Sequence, residues 1–102
     1  RMPDRWREIH AIIAGTTAAG YLGCAAAILD FDFTPRLPDV EVPVLVVCGS
    51  DDQGTPPDGN RRIAELVAHG RYEEIAGARH FPNVEFPEQF NELMLTWLAS
   101  HR

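Results

Sequence analysis

The sequence predicts an α/β fold built on a parallel sheet, and it predicts that these residues hold only part of that sheet. Three observations lead there. The run Val42-Pro43-Val44-Leu45-Val46-Val47-Cys48 is continuously apolar, β-branched and closed by Gly49; strands buried on both faces read this way and occur mainly in parallel sheets covered by helices. From residue 42 onward the order is strand, helix, strand, helix, which demands a parallel pair joined by a crossover. Finally, a strand as apolar as 42–48 calls for neighbours on both sides, yet only one other strand is legible. The chain therefore reads as the end of a larger α/β fold.

Two helices come first. Asp4 is placed to cap a helix to about Ala14, with Trp6, Ile9 and Ile13 at helical spacing. Gly15-Thr16-Thr17 breaks that pattern. A second helix over 18–29 aligns Tyr21, Ala25 and Ile28, with Gly20 and Gly23 weakening it intrinsically. Residues 31–41, with Pro35 and Pro38, read as a loop between two regions, 1–34 and 35–102. Pro43 fits only at the start of the apolar strand, because it brings no N–H to a ladder. Thr55-Pro56-Pro57-Asp58 predicts a capped helix start, with Pro56 at the first position and a Thr-x-x-Asp capping box. That helix is expected to end at His69-Gly70. Residues 71–76 form a short strand carrying acidic residues, as at a sheet edge. The last helix, 87–100, shows Phe90, Leu93, Met94, Trp97 and Leu98 as one stripe.

Composition narrows the function. The 102 residues carry nine basic and fifteen acidic side chains, a net charge of −6, and every basic residue is arginine. With no basic stripe, nucleic acid and anionic membrane surfaces are not expected partners. No apolar run approaches the ~20 residues of a membrane span. The opening Arg1-Met2-Pro3-Asp4 lacks the apolar core of a signal peptide, and a start on Arg reads as a fragment or a processed product. Cys24 and Cys48 lack metal-site spacing and read as small buried thiols in a reducing cytoplasm. The spacing of His10, His69 and His101, all expected to be exposed, predicts no metal site, and no cofactor is expected.

Chemistry in open parallel sheets gathers at the carboxyl ends of strands. The first strand is followed by Gly49-Ser50-Asp51-Asp52 and the second by Gly77-Ala78-Arg79-His80-Phe81. Adjacent parallel strands would bring an acid and a histidine to one rim. A carboxylate that accepts from imidazole Nδ1–H fixes the tautomer and leaves Nε2 as a general base. Alone, an Asp after a strand is commonly a turn residue and a lone His a loop group; the joint placement favours catalysis.

Gly49-x-x-Asp52-x-x-Thr55-Pro56, followed by His80 and an amphipathic terminal helix, resembles the C-terminal part of the α/β-hydrolase family, whose chain order is nucleophile, acid, histidine. The resemblance implies that residues 1–34 are the end of a helical cap and 35–102 the C-terminal part of the core. It implies Asp52 as the acid, with Asp51 the alternative, and His80 as the base. A narrower likeness, to the 3-oxoadipate enol-lactonase family, rests on Gly20-Tyr21-x-x-Cys24-Ala25-Ala26, Asp30-x-Asp32-Phe33, Val46-Val47-Cys48-Gly49 and His80-Phe81-x-Asn83-Val84-Glu85. It implies a small carboxylated lactone or ester as substrate and a role in bacterial aromatic catabolism.

One departure is decisive. Ser50 and Ser100 are the only serines, and neither lies in a Gly-x-Ser-x-Gly elbow. The nucleophile, the oxyanion loop and the first strands are expected from a complementary N-terminal segment of the same enzyme, beside which alone these residues should be ordered. Asn83 and Glu85 are expected to brace the His80 loop, and Arg79 to form a surface salt bridge. Trp6 and Tyr21 are read as core in preference to pocket lining, and Trp97 as core. Two rival functions stand: another hydrolase of the same fold (esterase, dehalogenase-like or C–C hydrolase), and a non-catalytic scaffold in signalling or assembly.

Overall fold

The computed structural model describes residues 3–101 and divides the chain into two compact units, Arg1–Phe33 and Thr34–Arg102. The first unit is helical. Helix α1 spans Pro3–Ala14 and α2 spans Ala18–Ile28. Asp4 lies inside the first turn of α1 instead of capping it, and pairs with Arg7 at 3.2 Å. Helix α2 has the cap the sequence reading passed over: Thr17 adopts extended backbone and its Oγ1 accepts the Gly20 N–H at 3.0 Å. Within this unit Trp6 and Tyr21 are exposed, contrary to the expectation of core, and so is Cys24.

The second unit opens with a 3₁₀ turn, Thr34–Asp39, in the stretch expected to be loop. Strand β1, Val44–Gly49, and strand β2, Gly70–Ile75, form a parallel pair in the register Val44↔Gly70 to Gly49↔Ile75. The ladder begins after Pro43 because proline has no N–H to contribute; Val44 N–H donates to the His69 carbonyl at 2.9 Å. Helix α3, Pro57–Leu66, crosses between the strands and packs on both. It stops three residues before the expected His69-Gly70 end. Val67 is already extended, at φ −74° and ψ 151°, so that Gly70 can enter the ladder opposite Val44. A short helix α4, Pro82–Glu85, and the terminal helix α5, Pro87–Ala99, complete the unit.

The core is small: Cys48, Ile75 and Ala78 lie at the carboxyl end of the sheet and Val67 at its amino end. Ile75 and Ala78 are fully buried, with Cys48 and Val67 nearly so. Burying Ile75 alone stabilises the unit by about 1.5–3 kcal/mol. Val44–Val47 are only half-buried, so the apolar strand lacks the full cover its composition calls for. On α5, Phe90, Leu93, Met94 and Trp97 are half-buried and Leu98 is exposed, so Trp97 is not the core residue expected; its ring packs against His101 at 4.5 Å.

Candidate active site

Parallel pairing decides where the chemistry sits. Gly49 and Ile75 are the last partners of the ladder, so the turns that follow them emerge side by side. Three bonds tie these turns together: Ser50 N–H to the Ile75 carbonyl at 3.0 Å, Asp51 N–H to the Ala78 carbonyl at 2.9 Å, and Gly77 N–H to Ser50 Oγ at 2.8 Å. Ser50 also donates to Asp51 Oδ1 at 3.0 Å, so its hydroxyl is a fastener between turns. Gly77 takes φ 78°, a left-handed conformation that suits glycine. Gly49 is needed for space: a Cβ there would stand 2.2 Å from the Ala78 carbonyl oxygen and 2.3 Å from that of Arg79.

Across this seam the two residues singled out from the sequence meet. His80 Nδ1 lies 2.9 Å from Asp52 Oδ2. The Asp52 side chain is 6 % exposed and that of His80 59 %, so the carboxylate is covered and the imidazole stands at its edge. Asp52 is saturated with donors. Its Oδ1 accepts from the Gly54 and Thr55 N–H groups at 3.0 and 2.9 Å, and its Oδ2 also accepts from Thr55 Oγ1 at 2.8 Å. The Thr55 N–H, then the His80 contact, hold its carboxyl down at about 2, against the opposing effect of burial. The Asp51 side chain is exposed and, among the described residues, accepts only from the Ser50 hydroxyl.

Thr55 is the residue sequence reasoning misplaced. The predicted capping box does not form: Pro56 is the N-cap, Pro57 opens the helix, and no side chain caps it. The Thr55 hydroxyl turns back to Asp52 and also lies 3.2 Å from His80 Nδ1. The overlooked signal was its spacing, three residues after an Asp inside one turn, where a hydroxyl reaches back as readily as forward. Glu85 braces the histidine loop as expected, its Oε2 accepting the Arg79 N–H at 2.7 Å; Asn83 is exposed and makes no such bond among the described residues. Arg79 forms no salt bridge among the described residues.

An open cleft of about 520 Å³ is lined by the 51–55 turn, Arg79 and His80. Imidazole Nε2 has no bonding partner among the described residues. A carboxylate on Nδ1–H and an open Nε2 are the arrangement that accepts a proton at Nε2 and stabilises the resulting imidazolium. Cys48, buried as expected, is no substitute nucleophile. Burial pushes its thiol up and the Asp52 and Glu74 charges add to this, outweighing the opposing hydrogen bonds from Tyr72 and from Asn60 Nδ2, which lies 3.3 Å from the sulfur. Among the described residues no three His, Cys, Asp or Glu side chains gather closely enough to hold a metal ion.

Comparison with known proteins identifies the fold family. Residues 4–87 match the family model of the alpha/beta hydrolase fold. The chain is 34% identical over 89 residues to 3-oxoadipate enol-lactonase 2 of Acinetobacter baylyi, covering 87% of this chain and 33% of that protein. It is 36% identical over 84 residues to a non-heme chloroperoxidase of Streptomyces lividans, covering 81% and 30%. Among solved structures, a thermophilic esterase from Thermogutta terrifontis with malate bound superimposes with a TM-score of 0.65 at 30% identity, over 68% of this chain and 25% of that one. The chain thus spans about a third or less of the length of these relatives. Strand order, paired turns and sequence match converge on one assignment: the chain belongs to the α/β-hydrolase fold family.

Proposed function

We propose that this chain supplies the acid and the histidine of a serine-type hydrolase that opens a carboxylic ester or lactone, and specifically an enol-lactone in bacterial aromatic catabolism. The observation that carries the reading is the 2.9 Å contact between His80 Nδ1 and a covered, ionised Asp52. The narrower substrate assignment draws on the similarity to the Acinetobacter enol-lactonase over 87% of the chain. The serine comes from a complementary N-terminal segment of the same enzyme. The half-covered β1, paired among the described residues only with β2, is the surface such a segment would complete. Residues 1–34 are assigned to the end of its helical cap, and the enzyme to the cytoplasm.

The steps follow from the pair. His80 Nε2 takes the serine hydroxyl proton as the oxygen attacks the lactone carbonyl. The ring C–O bond breaks, and Nε2–H returns the proton to the departing enol oxygen, which stays tethered in the acyl-enzyme. Water then gives a proton to Nε2 as its oxygen adds to the acyl carbon, and Nε2–H passes that proton to the serine oxygen as the acyl–oxygen bond breaks, releasing the acid and restoring the serine hydroxyl. Asp52 stays ionised throughout and holds the imidazolium.

The test is His80→Ala in the full-length protein, assayed on an enol-lactone and on p-nitrophenyl acetate. Loss of turnover, with stability changed by no more than about 1 kcal/mol, supports the reading. Near-normal lactone turnover removes His80 from the mechanism. A second reading, a related hydrolase acting on simple esters, draws on the likeness to the Thermogutta esterase. It gains if the wild type cleaves the acetate and leaves the lactone intact. Turnover of neither favours a non-catalytic scaffold.

A further inference from the structure

Arginine supplies every basic side chain of this sequence, and among the described residues all the arginines but one meet a carboxylate. Among the described residues Arg5 meets Glu8 at 2.8 Å, Arg7 meets Asp4 at 3.2 Å and Arg36 meets Asp39 at 3.1 Å. Arg61 meets Glu74 at 2.9 Å, Arg62 meets Glu65 at 4.0 Å and Arg71 meets Glu73 at 2.7 Å. Arg79 alone has no carboxylate partner among them, and it is the one that lines the cleft beside His80. The nearby acids are committed elsewhere. Asp51 takes the Ser50 hydroxyl, Asp52 takes Thr55 and His80, and Glu85 takes the backbone N–H of Arg79 itself. That last bond fixes the Arg79 backbone next to the histidine while leaving the guanidinium available.

A guanidinium is a planar fork of donors that matches a carboxylate in two parallel hydrogen bonds. Here it faces a chain of net charge −6 and a rim bearing Asp51, surroundings that repel an anion unless a local cation receives it. We propose that Arg79 is the anion anchor of the cleft: it pairs with a carboxylate carried by the substrate, away from the scissile bond, and so selects esters or lactones bearing a free carboxylate over neutral ones. The proposal deepens the hydrolase reading and rests on it for the identity of the reaction. Arg79 takes no part in the bond changes; it is a specificity residue.

The full-length protein and its Arg79→Gln and Arg79→Lys variants are compared on two matched esters, monomethyl adipate with a free carboxylate and dimethyl adipate without one. Binding of adipate, which cannot be hydrolysed, is followed by calorimetry. For R79Q the KM for the monoester should rise about 10- to 100-fold with kcat nearly unchanged, and adipate affinity should fall by a similar factor; R79K should recover part of both, having the charge without the fork. The diester should change less than about threefold. Equal losses on both esters, or a lowered melting temperature, would mean that Arg79 serves a structural ion pair, and would overturn the proposal. Unchanged adipate affinity in R79Q overturns it as well. Adipate binding that depends on Arg79, with neither ester hydrolysed, sinks the hydrolase reading while the anion anchor stands.

Discussion

Replacing Gly49 with alanine should pull His80 away from Asp52. The added Cβ would stand 2.2 Å from the Ala78 carbonyl oxygen, 2.3 Å from the Arg79 carbonyl oxygen and 2.5 Å from the Ala78 carbonyl carbon. All three are backbone atoms, so no rotamer change relieves the contact. Restoring an ordinary separation of about 3.4 Å displaces the 78–79 backbone by roughly 1 Å. That backbone leads directly into His80, and a shift of this size carries Nδ1 from 2.9 Å beyond hydrogen-bond reach of Asp52. It also strains the Asp51 N–H bond to the Ala78 carbonyl. Overpacking of this kind costs about 1–3 kcal/mol of stability, and a 1 Å misplacement of a catalytic group costs about 10²-fold in rate. Gly70→Ala is the control. Its Cβ would meet the Ala64 carbonyl oxygen at 2.0 Å, but at the opposite end of β2 from the site. Both variants should melt at lower urea; in the full-length protein only Gly49→Ala should lose about a hundredfold in turnover per folded molecule. Wild-type turnover in Gly49→Ala, or an equal loss in Gly70→Ala, refutes the argument that close approach at Gly49 sets the Asp–His geometry.

Asp52→Asn should lower turnover by about 10³–10⁴-fold, because an amide supports the wrong imidazole tautomer, while Asp51→Asn stays within about threefold; the reverse order would make Asp51 the acid. Thr55→Val removes one of the donors that hold the Asp52 carboxyl at about 2, so a ¹³C titration should find that carboxyl raised, with Thr55→Ser restoring it; an unmoved titration would show that the hydroxyl does not act on the carboxylate. Acid should weaken the fold through the same group. The folded carboxyl sits below its ordinary value of 3.8, so its contribution is full above that value and is lost as pH falls through 3.8 toward about 2. Denaturant melts between pH 5 and 2 should be steeper in pH for the wild type than for Asp52→Asn, and parallel slopes would contradict this.

Much of the molecule was legible because local chemistry and tertiary packing agree. The apolar run ending at Gly49, the stripe on α5 and the βαβα order needed only periodicity and the chirality of crossovers. The rule that chemistry collects at strand carboxyl ends brought an acid of the 49–52 turn beside His80, and the resemblance to the hydrolase family chose Asp52 over Asp51. Where two local options compete, sequence reasoning failed. Thr55 has the spacing of a helix cap and equally that of a partner for Asp52, and only the position of the carboxylate decides between them. The α3 terminus moved to Leu66 because pairing of Gly70 with Val44 outbids another turn of helix. Charge pairing is also invisible in one dimension. Arg71 and Glu73 are two residues apart and Arg61 and Glu74 thirteen apart, yet both pairs close, while Arg79 stays unpaired among the described residues.

The sequence by itself determined the two strands, the four longer helices and which end of the sheet carries reactive groups, because hydrophobic period and strand polarity are properties of neighbouring residues. The tertiary structure alone decided how the groups meet. The 2.9 Å Asp52–His80 contact depends on a parallel register that aligns Gly49 with Ile75, on the missing Cβ of Gly49, and on a hydroxyl that binds two turns together. Each of these is a distance between residues more than twenty positions apart, and such distances are set by packing, not by spacing along the chain.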